Sequence, residues 1–288
     1  MPIFVCDSSN NRIQVFDLKG KYLRKWGAYG TGNGYFKFPS AVFAYKGEVF
    51  VCDQENSRIQ VFDLEGKYLR KWGSYGSATG KFAWPRGLTI FEDEVFVSDT
   101  GNHRIQVFDL EGNYLRTWGS YGRNNGQFRN PYENDIYNDQ IYVADWSNSR
   151  IQFFTLQGAF VGKWGSIGSG DGQFILPTGI SVFKDEVFVT DFSNNRIQVF
   201  YLNGAFKRKW GSKGSGDGQF DGPYGIQAAG GQVFVTDCYK YRVQVFDLQG
   251  VFKIKWGSYG TDNGYFNLPT GCFIPTARIQ YLPFLGMG

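Results

Sequence analysis

Residues Val187 to Phe200 read Val-Phe-Val-Thr-Asp-Phe-Ser-Asn-Asn-Arg-Ile-Gln-Val-Phe. Two runs of β-branched and aromatic residues flank a polar cluster, the pattern of two short strands joined by a turn. The string recurs at a fixed step. Its Asp returns as Asp7, Asp53, Asp99, Asp145, Asp191 and Asp237, and its Arg as Arg12, Arg58, Arg104, Arg150, Arg196 and Arg242. Trp26, Trp72, Trp118, Trp164, Trp210 and Trp256 keep the same step, as do Pro39, Pro85, Pro131, Pro177, Pro223 and Pro269. Self-similarity at a fixed period without insertions is the mark of a repeat architecture.

Each unit reads as four short strands. In the second unit these run from about Ala41 to Ala44, Glu48 to Cys52, Arg58 to Phe62 and Tyr68 to Trp72. Lys46-Gly47, Asp53 to Ser57 and Leu64-Glu65-Gly66 separate them as turn clusters. No segment holds a helical period. Four antiparallel strands per unit, repeated radially, predict an all-β, six-bladed β-propeller. The chain opens on a second strand, Ile3 to Cys6, and a first strand at Gly271 to Ile274 follows the sixth Pro. That late strand is expected to complete the N-terminal blade and close the ring. The propeller is expected over residues 1–276, with 277–288 as a tail that fits no repeat position.

The string continues with a Gly, then Trp-Gly, then Gly-x-Phe-x-x-Pro-x-Gly. The Gly-His and Trp-Asp dipeptides of the WD-repeat propellers are absent. The pattern resembles the NHL repeat over about 270 residues. That resemblance implies a six-bladed propeller and makes the Asp, Asn and Arg a structural signature, with the Asp accepting backbone N–H groups of its turn and pairing with the Arg. Two departures stand out. Lys240 replaces the Asn of the sixth unit, and Glu133 replaces the Gly after Pro in the fourth, as Ala41 does in the second.

Composition narrows the function. No apolar run approaches the roughly 18 residues of a membrane span. Met1-Pro2-Ile3-Phe4 already begins a strand and leaves no room for a leader, so a cytoplasmic protein is expected. The net charge of +4 is mild. Much of the positive charge falls on fourth strands, as in Arg70-Lys71 and Lys207-Arg208-Lys209, where it protects an exposed sheet edge. Cys6, Cys52, Cys238 and Cys272 show no metal-binding spacing. Cys6 and Cys52 share a slot filled elsewhere by Ser98, Ala144, Thr190 and Thr236, so they read as buried free thiols. A monomer without a cofactor is expected.

Function belongs where a unit breaks the pattern on an exposed face. The residues after each Asp are Ser8, Gln54, Thr100, Trp146, Phe192 and Cys238; those after each Pro are Ser40, Arg86, Tyr132, Thr178, Tyr224 and Thr270. Blade 6 adds Tyr239, Lys240 and Tyr241. Trp146, Phe192, Tyr132, Tyr224, Tyr239 and Tyr241 therefore form an expected arc over blades 4 to 6, on the face carrying the inter-blade links, with Arg86 and Lys240 nearby. Amphipathic aromatics are favoured binding anchors. The plainer reading is loop packing. Glu133, Asn134 and Asp135 interrupt the apolar channel wall and are the oxygen-bearing candidates for a cation, although calcium needs about six or more oxygens.

The leading expectation is a non-catalytic module that recognises a protein or peptide on its top face. Single-stranded RNA is the alternative on the same face, opposed by Asp221, Glu133 and Asp135, which repel phosphate. Carbohydrate stacking on Trp146 is also open, as is a purely architectural role for units so alike. Propellers similar to the NHL family include a zinc lyase and calcium-dependent lactonases. His103 is the sole histidine, which argues against a zinc centre. A calcium hydrolase would have to draw its oxygens from the channel mouth, and no nucleophile with an adjacent base is visible.

Overall fold

The computed structural model describes residues 2–275, so the tail expected at 277–288 lies outside the described residues. Within them are six four-stranded antiparallel sheets, each one blade of a propeller. Blade 2 comprises Pro39–Tyr45, Glu48–Asp53, Arg58–Asp63 and Tyr68–Trp72. Its first strand starts earlier than the sequence suggests because Pro39 pairs with Asp53 across a register shift. Blades 3 to 6 repeat the plan. Blade 1 is built from both ends of the described chain: Pro269–Phe273 pairs with Ile3–Asp7 through Phe4 with Phe273 and Val5 with Cys272. The first strands of successive blades pack side by side, blade 1 against both blade 6 and blade 2, and close the ring.

Burial follows the radius. The inner strands bury both faces between neighbouring blades, as in Ile3–Asp7 and Arg12–Phe16, while the outer strand Tyr68–Trp72 alternates half-buried and exposed residues. Several edge cations are paired. Arg70 makes two bonds of 2.7 Å to Glu48, and Arg116 and Arg208 pair in the same way with Glu94 and Glu186. All four cysteines are buried free thiols. No helix among the described residues is long and apolar enough to cross a membrane.

The repeated Asp, Arg, Gln and Asn form one device. Asp53 is fully buried. Its Oδ1 accepts the backbone N–H of Lys37 at 2.8 Å, and its Oδ2 accepts Arg58 Nε at 2.7 Å and Gln60 Nε2 at 3.1 Å. The outer nitrogens of Arg58 donate to the carbonyls of Thr31, Gly32 and Tyr35, and Asn56 donates to Gly30. Each carboxylate thus clamps to its blade the link by which the chain enters that blade. The Arg Nε–Asp Oδ2 distance stays between 2.6 and 2.8 Å in all six blades. In blade 1 the same device ties Asp7 and Arg12 to residues 260–267, across the closure. A buried carboxylate without such donors would be strongly destabilising.

The tryptophans stack blade on blade. A β-carbon on Gly66 would lie 2.7 Å from the Trp26 ring, and one on Gly20 would lie 2.5 Å from Trp256. Both glycines have φ near +80° to +90°, so the turn needs Gly for its backbone as well as for the ring above it.

Blade 6 departs from the clamp. Lys240 stands where the other blades hold Asn, and its ammonium pairs with Asp221 at 3.0 Å instead of reaching Asp237. Burial pushes the Asp237 carboxyl up to about 6; the Asp221 N–H and Arg242 oppose this, and the Asp221 charge adds to it. The folded state therefore holds a proton that the unfolded chain has released, and the stability it contributes, present below about pH 4, is lost as pH rises through about 6. Lys240→Asn should restore the missing donor and raise stability at pH 7 by about 1 kcal/mol, with less gain at pH 4. Paired thermal melts across that range check this; an equal gain at both pH values would contradict it.

Candidate ligand-binding face

The top face carries the turns between second and third strands. In blades 1 and 3 to 6 these are single 3-10 turns, among them Trp146–Asn148, Phe192–Asn194 and Cys238–Lys240. Each is followed by a residue in the left-handed region, from Asn11 and His103 to Tyr241.

Five of the six predicted aromatics form one continuous relay. Tyr132 stacks on Trp146 with centroids 5.0 Å apart and planes at 7°. Tyr132 meets Tyr224 at 6.1 Å, Tyr224 meets Phe192 edge-on at 6.1 Å, and Phe192 meets Tyr239 at 5.8 Å. The sixth, Tyr241, is turned away. It occupies a left-handed position with φ 54° and packs on Tyr259 at 5.0 Å, as His103 does on Tyr121 in blade 3. Lys240 is taken up by Asp221.

The relay is graded in exposure. Tyr132 and Tyr224 are each only 7% exposed, Trp146 and Phe192 are partly buried, and Tyr239 is 48% exposed. Arg86 explains the buried pair. Its guanidinium lies 4.7 Å from the Tyr132 ring centre, and Nη1 donates to Tyr224 Oη at 2.9 Å. Blades 3 and 6 face each other across the ring, so this bond spans the top of the channel. Burial pushes the Tyr224 hydroxyl up, keeping it neutral, while Arg86 opposes the shift.

Beside this lid opens a cleft of about 570 Å³ lined by Gln54, Glu55, Trp84, Arg86, Thr100, Asn130, Tyr132 and Trp146. That volume lies in the range of small-ligand sites. Trp84 and Gln54 are additions to the residues expected from sequence. Trp84 precedes Pro85, and its equivalents are Phe38, Asn130, Leu176, Gly222 and Leu268. It is 52% exposed and has φ 51°. Phe38, Asn130, Leu176 and Leu268 share the left-handed φ, so the backbone does not set Trp84 apart. A β-carbon on Gly101 would lie 2.9 Å from the Trp84 ring, so the glycine makes room for the indole. Gln54 is buried, and its Oε1 meets no donor among the described residues.

The channel below is narrow. The cavity bounded by Glu133, Asn134, Asp135, Gln227 and the apolar first-strand residues measures about 30 Å³, room for a water or two. Asp135 Oδ1 accepts the N–H of Ile136 and Oδ2 that of Val182, at 2.9 and 2.7 Å. Burial pushes the Glu133 carboxyl well above the usual carboxylate range, opposed by the N–H groups of Ile180 and Ile226 and reinforced by Asp135. Asn134 donates to Ser98 at 2.8 Å. These oxygens fall short of a calcium shell of about six or more. Among the described residues, no group of three or more His, Cys, Asp or Glu is gathered to hold a metal ion. His103 accepts the Asn130 N–H through Nδ1 at 3.1 Å, and burial lowers its pKa.

The NHL-repeat family model matches residues 82–108 and 174–200, each spanning the Phe before the Pro to the end of the third strand. The chain is a six-bladed β-propeller that carries NHL repeats at these residues. No curated protein matches it significantly. Among solved structures, this NHL-repeat propeller is similar to a chain in the crystal structure of a nidogen/laminin complex, at 16% identity and a TM-score of 0.68, over 94% of this chain and 97% of that one. It is likewise similar to a Bacteroides caccae protein of unknown function, at 14% identity and a TM-score of 0.69, over 94% and 97%. At such identities the likeness concerns the fold.

Tyr224→Phe tests the lid. It removes the acceptor of Arg86 and nothing else, and should destabilise the fold by about 1 kcal/mol. Urea unfolding should show a lower midpoint at unchanged slope; an unmoved midpoint would mean that the bond does not hold the lid.

Proposed function

We propose that this propeller is a non-catalytic recognition module that takes a protein or peptide partner on its top face. The observation that carries this reading is the one-sided relay from Trp146 to Tyr239, beside an open cleft. Repeated positions elsewhere serve the clamps and the blade stacking, and they recur around the ring. The relay and its cleft do not recur. Partly buried aromatics with polar tips give large contact area at low entropic expense, as recognition surfaces need.

The charge pattern supports a protein partner over nucleic acid. Affinity for nucleic acid rests on cations aimed at phosphates. Here Lys240 is paired with Asp221, and Arg86 lies over Tyr132 and donates to Tyr224 with Glu55 nearby. A fold neighbour taken from a nidogen/laminin complex agrees with the use of such a propeller in protein assembly. Among the described residues the channel shows no paired nucleophile and base, and Asp135 is occupied by backbone donors.

Trp146→Ala combined with Tyr239→Ala removes the two accessible ends of the relay while sparing the lid. Affinity capture of proteins and of RNA with wild type and with this variant tests the assignment. We expect protein partners to be lost and no RNA to be retained by either; an unchanged set of partners would remove the top face from consideration.

A further inference from the structure

The cleft beside the relay holds a feature that packing alone does not explain. Gln54 is 5% exposed, lines the cleft, and its Oε1 meets no donor among the described residues. Buried amide oxygens are ordinarily satisfied, and one left without a donor destabilises the free protein. Because the side chain lines the cleft, a modest turn toward the opening would let this oxygen accept an N–H from a ligand seated there. Arg86 lines the same cleft and makes one hydrogen bond among the described residues, to Tyr224, which leaves guanidinium N–H groups to donate. The cleft thus presents an acceptor and a donor.

Charge selects among ligands. Arg86 and Glu55 are the charged side chains lining the cleft, and their formal charges cancel. An anion would meet Glu55 and a cation would meet Arg86, so a neutral group that both donates and accepts is favoured. The apolar part of the lining is aromatic: Trp84, half exposed, and Trp146 stacked on Tyr132. Gly101 leaves space for the Trp84 indole where a larger residue would push on it. Flat apolar groups pack well on such rings.

We propose that the Gln54–Arg86 cleft seats an uncharged, extended peptide segment, whose main-chain amide pairs with Gln54 and Arg86 while a proline or aromatic side chain lies against Trp84 and Trp146. This rests on the top face being the recognition surface and adds which part of the partner enters and by what chemistry. The peptide N–H donates to Gln54 Oε1, and the peptide carbonyl accepts from Arg86. Main-chain pairing supplies affinity, and the aromatic wall supplies selectivity.

A phage-displayed library of random dodecapeptides, panned on the full chain, tests this against Gln54→Leu, Trp84→Ala and the Trp146→Ala/Tyr239→Ala pair. The expected peptides share an uncharged core centred on proline or an aromatic residue. Fluorescence polarisation should show about 10-fold weaker binding to Gln54→Leu, the loss of roughly one good hydrogen bond. The same variant should melt no lower than wild type, because leucine leaves no unmet acceptor; a merely structural glutamine would not separate the two readouts in this way. Unchanged affinity for Gln54→Leu, a charged core motif, a failure to enrich any peptide, or binding on a glycan array in place of peptides would overturn the proposal. Peptides lost on the Trp146/Tyr239 pair but kept on Gln54→Leu defeat the cleft and leave the top-face reading standing. Peptides indifferent to every substitution defeat both.

Discussion

The buried carboxylate at the end of each second strand is the constraint on which the ring depends. Burial raises the pKa of Asp7, Asp53, Asp99, Asp145, Asp191 and Asp237, so each is a group the fold would rather not contain. It is tolerated because its oxygens are met by an arginine, a glutamine and a backbone N–H. The arginine and glutamine lie on the third strand and the N–H on the link. The carboxylate can be satisfied only when the inter-blade link lies in one place, so a local electrostatic demand becomes a global geometric one. The arginine extends the demand by capping the link's carbonyls. Such a network specifies position more than it adds net stability.

Because the network repeats, it cannot mark a site. Six equivalent clamps and six equivalent indoles give the molecule near-uniform walls, and a ligand gains selectivity only from what is not uniform. The irregular residues are few, and they meet because a ring brings equivalent positions to one radius. Arg86 of blade 3 reaches Tyr224 of blade 6 although the two are far apart in the chain. Glu133 illustrates the same logic at the channel. Glycine holds that position in blade 3, where a β-carbon on Gly87 would lie 2.3 Å from the carbonyl oxygen of Tyr132 in the next blade. A carboxyl side chain there fills the passage instead of allowing the close approach.

How much was legible follows from this division. Strand order, blade number and closure depend on spacing, which is written plainly in Asp, Arg, Trp and Pro. The limits of the strand Tyr68–Trp72 agree with the sequence reading, whereas Pro39–Tyr45 begins earlier because a register shift lets Pro39 pair without an N–H. At the candidate site, the choice of aromatics located the relay but not its depth. Equivalent spacing gives the radius of a residue and not whether a neighbour covers it, so the burial of Tyr132 and Tyr224 beneath Arg86 was not readable. Tyr241 was misplaced for a similar reason: one residue beyond the turn, a left-handed φ reverses its direction. Trp84 and Gln54 became visible only with the cleft, since both positions vary from blade to blade and the spacing does not say which variants meet.

The unmet oxygen of Gln54 bears on whether this propeller is anything more than a scaffold. An isolated ring selected for stability alone gains by placing an apolar residue at that turn, since an unsatisfied buried amide costs about 1–3 kcal/mol. The half-exposed indole of Trp84 carries a smaller penalty of the same sign, an apolar surface left to water. Both defects lie on the same wall, beside the residues that break the repeat. The six clamps hold the blades regardless, so the top face can keep groups left unmet in the isolated ring. Unmet polar atoms also occur at the repeated indoles of Trp26 to Trp256 and at Asn134 and Asn148, so what sets Gln54 apart is its place on the wall of the open cleft, beside a half-exposed indole.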